Sequence, residues 1–281
     1  MSENSIFKFV RDDGEVLELA SPWGIYDVTG LAYPDISFDS EPYAFEDGSY
    51  WTKNQAEKRV ISFSAKYRMP DVHYAARDKV GQFFNHMADY EFYIDFCGKD
   101  AYFLGKVTDF QIPLQRDDSM PTFNLEFTSA NPFIQSASNF GRNLNEVFPK
   151  IHFPSHYTAN ETRPYSVRAF AQNVKIVNDG IVDTGFVASI TFVEETSTFK
   201  IQNDSGKKLD ITKTFHAGDV LQIDTSAKIA RLNGVKFYKG ISNDSEFFVL
   251  KPGDNYISYS AAVGESTMNI DIYYRSQRVV F

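Results

Sequence analysis

The sequence predicts a mainly β protein, with an α+β domain first and an antiparallel β-sandwich or jelly roll after it. Aromatic residues make up 16% of the 281 residues, and the 26 Phe and 16 Tyr favour the pleated, half-buried surface of strands. Short stretches that alternate apolar and polar residues recur along the chain and end at Gly, Asp or Asn. One stretch in the first half repeats its apolar residues at helical spacing instead.

Length and composition predict two domains. A chain of 281 residues exceeds the usual size of a single domain. We expect an N-terminal domain over residues 1–130 and a C-terminal domain over residues 149–281. Residues 131–148 are rich in Asn, Ser and Gly, which predicts an extended linker between them.

The first domain begins with a predicted hairpin. The segments SIFKFV and EVLEL alternate apolar and polar residues, and Asp13-Gly14 between them favours a tight turn. The stretch from Tyr33 to Gln55 is rich in Pro, Asp, Ser and Gly, so we expect a long ordered loop or arm there. The segment RVISFSAKY then alternates again and predicts a strand.

One helix is expected in this domain. Pro70 and Asp71 mark its start, because the Asp71 carboxylate suits the free amides of a first turn. Apolar residues then recur three and four positions apart, which predicts a single stripe that packs on the sheet. We expect four of these residues to hold the first domain together: Val80, Phe83, Phe84 and Met87.

Two turn signals shape the predicted second domain. Asn233-Gly234 supplies the positive φ that a tight hairpin requires between AKIARL and VKFYKG. Pro252-Gly253 predicts a turn between FFVLK and YISYS. Turn chemistry explains these residues without any ligand, so we expect them to be structural.

The residues needed for catalysis or metal binding form no recognisable constellation. The chain lacks a Gly-rich phosphate loop, a Gly-x-Ser-x-Gly elbow and a His-Glu-x-x-His helix. Its single cysteine, Cys97, excludes an intrachain disulfide and a multi-cysteine metal site. His152 and His156 have a metal-binding spacing only on a helix, which Pro154 disfavours. We expect no catalytic residue, no metal and no cofactor.

Two weaker possibilities concern sugars. Asp35 and Glu41 are residue types that a glycosidase pairs as acid and base, but their loop is acidic throughout, which favours a solvated or interface surface. Sugar sites on sandwiches usually stack an aromatic ring on the sugar. Both tryptophans, Trp23 and Trp51, fall in the first domain, so such a site would have to use Tyr or Phe.

The distribution of charge and the absence of targeting signals argue against DNA and membranes as binding partners. Residues 1–148 contain 13 Lys and Arg against 23 Asp and Glu, whereas residues 149–281 contain 15 against 14. The acidic first half argues against a wrapped DNA-binding surface, although DNA can still pass nearby. The N-terminal residues show no signal-peptide pattern, and no apolar run reaches the roughly 18 residues of a membrane helix. We therefore expect synthesis in a cytoplasm and no membrane insertion.

A succession of motifs carries a family resemblance. In the second half, GDVLQIDT (residues 218–225) is followed by RLNG (231–234) and FFVLKPGDNYISY (247–259). In the first half, IYDVTGL (25–31) precedes the RVI stretch and one helix. In their order and spacing these motifs resemble the distal tail proteins of long-tailed bacteriophages, over nearly the whole chain.

The resemblance implies a structural virion protein and not an enzyme. Such proteins form a homohexameric ring hub at the distal end of the tail through their N-terminal domains, while a galectin-like C-terminal sandwich projects outward. The implied partners are further copies of this chain, the tail tube protein, a tail-associated hub or fibre protein, and receptor-binding or baseplate proteins. DNA passes through the ring without specific binding. The implied location is the tail tip of the virion, after synthesis in the bacterial host cytoplasm.

Two alternatives stay open at this point. The first is a carbohydrate-binding module that contacts host cell-wall saccharide through the C-terminal sandwich. The chain lacks the large insertion that enlarged, sugar-binding members of the family carry, which favours a docking platform instead. The second is a tail-associated glycoside hydrolase, for which the sequence offers no paired-carboxylate motif.

Overall fold

The computed structural model describes most of the chain. The described residues are 6–69, 73–96, 98–113, 120–149, 166–170 and 174–281. Several residues that the sequence singled out lie outside them: Pro70, Asp71, Cys97, His152 and His156.

Strands dominate the described residues, with one α-helix and one 3-10 turn among them. The elements of the first half are β1 (Ile6–Arg11), β2 (Val16–Leu19), β3 (Trp23–Thr29), β4 (Ile36–Pro42), β5 (Ser49–Ala56), β6 (Arg59–Tyr67), α1 (His73–Phe83), β7 (Tyr90–Phe96), β8 (Lys99–Gln111), β9 (Thr122–Ser129) and β10 (Ile134–Gln135). The following strands are β11 (Phe140–Asn143), β12 (Asn145–Pro149), β13 (Ser166–Phe170), β14 (Val174–Asn178), β15 (Phe186–Phe192), β16 (Thr196–Asn203), β17 (Lys208–Phe215) and β18 (Val220–Asp224). The last are β19 (Ile229–Leu232), β20 (Val235–Lys236), β21 (Gly253–Val263), β22 (Met268–Tyr274) and β23 (Gln277–Arg278), with the 3-10 turn at Glu265–Thr267.

The chain divides into two compact units. The first unit contains Met1–Ala137 together with Gln277–Phe281, and the second unit contains Ser138–Ser276. The expectation that the second domain continues to residue 281 is wrong, because β23 returns to the first unit and pairs with β10. The expected linker also differs, since residues 131–148 contain β10, β11 and most of β12.

The first unit is built on one large antiparallel sheet. Its strand order is β2-β1-β7-β8-β9-β6-β3, and β10 joins it by pairing with β8 and β23. The alternation in β6 shows why a sheet with one packed face forms: Ile61, Phe63 and Ala65 are buried, whereas Ser62 and Ser64 between them are only half-buried. The predicted hairpin is confirmed, with β1 paired to β2 across the turn at Asp13-Gly14.

Phenylalanine rings fill the core of the first unit. Phe9 and Phe92 stack face to face with their ring centroids 4.1 Å apart, and Phe127 meets Phe92 edge-on at 5.3 Å. Val80 and Phe83 belong to the same buried cluster, so α1 covers this face of the sheet. Contacts between aromatic rings stabilise a protein beyond the effect of burying their apolar surface, which explains the high Phe content of the chain.

The second unit is an antiparallel sandwich, as predicted. Its six-stranded sheet has the order β11-β22-β15-β18-β19-β20, and its four-stranded sheet has the order β14-β21-β16-β17. Both sheets contribute to a single buried cluster. Phe192 of β15 stacks on Phe215 of β17 with ring centroids 4.2 Å apart, which shows that the two sheets pack face to face. The pair β12-β13 forms a separate small sheet.

Among the described residues, no helix is long and apolar enough to cross a lipid bilayer. The helix α1 has 11 residues, whereas a spanning helix requires about 20.

Candidate functional site

A hairpin stands apart from both large cores. The strands β4 and β5 pair with each other, and in the described part of the chain neither pairs with another strand. We call residues 36–56 the arm. Its side chains are exposed along both strands, with only Ala56 at its base partly buried. The sequence predicted a loop or arm over this stretch but did not predict its strands.

A bulge sorts the side chains of the arm into two faces. Phe38 pairs with Asn54, but between Asp39 and Ser40 the register shifts, and Ser40 then pairs with Trp51. Because successive residues of a strand point to opposite faces, the extra residue turns Trp51 to the face that carries Phe38. The arm is therefore amphipathic, which a simple alternation of its sequence does not reveal.

The apolar face of the arm consists mainly of three exposed side chains. Ile36, Phe38 and Trp51 are 40%, 54% and 66% exposed. The rings of Phe38 and Trp51 contact each other, with centroids 5.2 Å apart. A contiguous exposed apolar surface of this kind is typical of a protein–protein contact.

The opposite face of the arm is polar. Asp39 lies across from Lys53, and the Tyr50 hydroxyl donates a 2.7 Å hydrogen bond to the Glu41 carboxylate. This hydrogen bond to an anion raises the pKa of the Tyr50 phenol, because the negative charge of the carboxylate disfavours a phenolate. Residues 36–56 contain four acidic side chains and one basic side chain, so the arm is acidic overall.

The tip of the arm presents an aromatic side chain to solvent. The amide of Tyr43 donates to the carbonyl of Gly48 at 3.1 Å and closes the loop. Gly48 has a φ of +115°, a conformation that favours glycine. Phe45 is fully exposed within this loop, beside the carboxylates of Glu46 and Asp47.

The predicted helix stripe is partly correct. Val80 and Phe83 are 1% and 2% exposed, and Phe84 packs against the same core. The prediction is wrong for Met87, which is 72% exposed. That the three core residues hold the unit together stays a prediction.

The helix ends too early for Met87 to continue the stripe. The carbonyl of Phe83, at the last helical residue, accepts a hydrogen bond from the Arg11 guanidinium at 2.9 Å. The Tyr90 hydroxyl accepts a hydrogen bond from the amide of Asn85 at 2.6 Å, and the Asn85 side chain accepts one from the amide of Met87. These groups satisfy the backbone at the helix end, and the chain turns toward β7.

The turn at Asn233-Gly234 has the predicted geometry. Leu232 pairs with Val235, and the two turn residues have φ values of +50° and +81°. The Asn233 side chain also accepts a hydrogen bond from the amide of Val220 and donates one to the Asp219 carboxylate, both at 2.9 Å.

The hydrogen bond from the Asn233 side chain contributes to a lowered pKa of Asp219. The amide of His216 and the side-chain amide of Asn233 donate to the Asp219 carboxylate and lower its pKa. The two turns thus fix each other at one end of the sandwich.

Pro252-Gly253 forms a turn but not a hairpin. β21 begins at Gly253 and pairs with β14 and β16, whereas residue 250 makes only a bridge to Thr184. The Asn255 side chain closes the turn by accepting from the amide of Lys251 at 2.8 Å and donating to its carbonyl at 2.7 Å. This local side-chain bonding replaces the strand pairing that a hairpin would supply.

The residues considered for chemistry are not brought together. Asp35 directly precedes β4 and Glu41 lies near the other end of that strand. At about 3.3 Å per residue, their Cα atoms are roughly 20 Å apart, well beyond the spacing of a glycosidase pair. Across the residues that the structure describes, no three His, Cys, Asp or Glu side chains cluster as metal ligands. Within the described residues, the geometry therefore does not support the possibility that Asp35 and Glu41 act as an acid–base pair.

Comparisons with known proteins identify the class. Residues 179–277 match the model of a family described as siphovirus-type tail component, C-terminal domain. The second unit therefore contains a tail-component domain, and the resemblance to distal tail proteins is confirmed. No curated protein sequence matches the chain.

Solved structures show the same fold over almost the whole chain. The Dit protein of phage SPP1, described as a paradigm of the hub adsorption apparatus in phages that infect Gram-positive bacteria, superposes with a TM-score of 0.67 at 13% identity, over 96% of this chain and 98% of that one. A chain of the phage P2 baseplate, in its activated conformation with calcium, superposes with a TM-score of 0.55 at 8% identity, over 99% of this chain and 100% of that one. The chain thus shares the fold of SPP1 Dit over almost its whole length.

Proposed function

We propose that this chain is a structural subunit of a phage tail tip, of which six copies form a ring hub at the distal end of the tail. The ring joins the tail tube to the baseplate and receptor-binding proteins and surrounds the DNA exit channel. The observation that carries the proposal is the match of residues 179–277 to a siphovirus-type tail component. The fold shared with SPP1 Dit supports the same role for the chain as a whole.

The arm supports self-assembly of the first unit. A closed ring is built from heterologous contacts, in which one surface of a copy fits a different surface of the next copy. The exposed face formed by Ile36, Phe38 and Trp51 supplies one such surface. Because a two-stranded hairpin gains little stability alone, burial of this face against a neighbour stabilises the arm and the ring together.

The second unit serves as a galectin-like docking platform for the baseplate or receptor-binding proteins. Its core is complete in the single chain, with stacked Phe192 and Phe215 between its two sheets. A sandwich that folds within one copy can project from a ring without contributing to ring closure. The family match over this unit supports that division of roles.

The acidic arm supports passage of DNA without specific binding. Four of the 23 acidic residues in the first 148 positions fall within the arm, which contains a single lysine. Such a surface repels phosphate groups and offers no cluster of Lys and Arg to neutralise them.

The molar mass of the purified protein tests the ring. Size-exclusion chromatography with light scattering should give six times the 32.0 kDa of one chain. If the chain is a monomer alone, the measurement is repeated with the tail tube protein, on which the ring then has to close. A monomer under both conditions would contradict the proposal.

A further inference from the structure

Arg59 is a buried cation without a carboxylate partner among its described hydrogen bonds. The residue is 1% exposed, and its guanidinium donates to four backbone carbonyls. Burial lowers the pKa of Arg59, although an arginine stays protonated at neutral pH. The carbonyl dipoles replace the water that the cation has lost, so the loss of any of these hydrogen bonds would destabilise the buried charge.

The four carbonyls come from three segments that are far apart in sequence. Gly30 and Ala32 precede the arm, and both accept a hydrogen bond through the backbone carbonyl. The carbonyl oxygen of Ala32 lies 2.9 Å from the guanidinium. Pro132 lies just before the chain leaves the first unit, at 2.6 Å. Val279 lies in the segment that returns from the second unit, at 2.8 Å. Arg59 thus joins the base of the arm to the exit and the return of the chain.

The returning segment makes further contacts of its own. β23 pairs with β10, and the amide of Phe281 donates to the carbonyl of Leu31 at 3.1 Å. The side chains of Phe281 and Leu31 both pack against the core of the first unit. Arg278 donates to the carbonyl of Asp100 at 2.9 Å. Residues 277–281 therefore hold the base of the arm directly, at Leu31, and through Arg59.

We propose that residues 277–281 are a clasp that fixes the base of the arm, and that the clasp closes only after the second unit has been synthesised. Synthesis runs from the N-terminus, so residues 138–276 are made before the clasp leaves the ribosome. Until then Arg59 lacks the Val279 carbonyl, and β10 lacks the strand that pairs with its outer edge. A chain without its second unit would thus present no fixed arm to neighbouring copies. The clasp itself does not depend on the ring, whereas its effect on assembly rests on the proposed function.

Hydrogen exchange measured by mass spectrometry tests the clasp in three variants. Arg59→Lys keeps the charge but replaces the planar fork by a compact ammonium that cannot reach four carbonyls, and Phe281→Ala removes the packing of the clasp. A chain that ends at Ser276 removes the clasp entirely. Arg68→Lys, the same exchange at an exposed arginine, is the matched control.

The expected result is local. The amide of Glu57, which bonds to the carbonyl of Asp35 at the base of the arm, should exchange about tenfold faster or more in all three variants. The amides of β15 in the second unit should exchange as in the unchanged chain, and the control should change nothing. All samples are compared in the same oligomeric state, which light scattering verifies.

Two results would overturn the clasp. One is unchanged exchange at Glu57 in Arg59→Lys and Phe281→Ala. The other is an equal acceleration of the core strand β7 in these two full-length variants, because it would mean general loosening of the first unit and no local role for the segment. Neither result bears on the number of copies in the ring, so the proposed function would stand.

Discussion

The arm of the first unit and the strand β17 of the second unit use the same pattern with opposite outcomes. In β17, Leu209 and Ile211 alternate with polar residues and are fully buried against the facing sheet. In the arm, Phe38 and Trp51 share a face in the same way, yet both are exposed. An amphipathic strand needs a partner for its apolar face. Among the described residues, β17 has this partner in the facing sheet, whereas the apolar face of the arm is left uncovered.

Folding of each unit and association of copies therefore depend on different residues. Substitutions in β17 or in the phenylalanine core should lower the stability of a unit, because they remove contacts that the single chain makes. Substitutions on the apolar face of the arm should leave both units folded and act on the association of copies.

The largest expected effect is on assembly. Phe38→Asp places a charge at the centre of the apolar face and should prevent ring formation, because burying an unpaired carboxylate is very unfavourable. Light scattering should then give the mass of one chain. Gln55→Asp is the matched control, since it adds the same charge to the polar face of the arm. A hexamer of the Phe38 variant, or loss of the hexamer in both variants, would contradict a specific role of the apolar face in the contact between copies.

The next effect concerns the stability of the single chain. Phe92→Ala removes a buried ring that stacks on Phe9, and should lower the free energy of unfolding of the first unit by about 3–5 kcal/mol. Phe38→Ala should change the stability of the unassembled chain by less than about 1 kcal/mol, because its side chain is largely exposed. Denaturant unfolding under conditions where the chain is monomeric measures both. Similar losses in the two variants would contradict an uncovered arm.

Two glycines compare the packing at the base of the arm with that at an open turn. Gly30 has a φ of +84°, and a Cβ there would lie 1.9 Å from the carbonyl oxygen of Val60. Gly234 has a φ of +81° with open space around it. Gly234→Ala should cost about 1 kcal/mol through backbone strain alone, and Gly30→Ala clearly more, because the backbone has to move as well. Equal losses in thermal unfolding would show that the base of the arm is not tightly packed.

The smallest effect is a pH dependence confined to the second unit. The folded pKa of Asp219 is lowered, so its stabilising contribution is present above the ordinary pKa of 3.8 and is lost as the pH falls through the folded value. Asp219→Asn should therefore make thermal unfolding of the second unit less sensitive to acid below about pH 4. An unchanged pH profile would indicate that the turn contacts are not formed in solution.

The sequence predicted those parts of the fold in which local pattern and tertiary contact agree. The first hairpin, the strand β6 and the turn at Asn233-Gly234 follow from alternation and turn chemistry within a few residues. The sandwich follows from the repetition of such signals. Its two-layer core then forms because both sheets have an apolar face to bury.

Other features depend on contacts that no local pattern contains. The sequence does not predict the strands of the arm, because Pro, Asp and Gly are frequent there and the bulge after Asp39 interrupts the alternation. The apolar spacing predicts Met87 on the helix stripe, but the hydrogen bonds of Asn85 and Tyr90 end the helix first. Arg59 gave no signal, since its carbonyl partners lie up to 220 residues away.

We propose that the apolar face of the arm binds a neighbouring copy of the chain. Electron cryomicroscopy of the tail tip that contains this protein tests it most directly. We expect a ring of six copies in which Phe38 and Trp51 of each copy are buried against the next. A ring in which these two side chains face solvent, or contact a different protein, would contradict it.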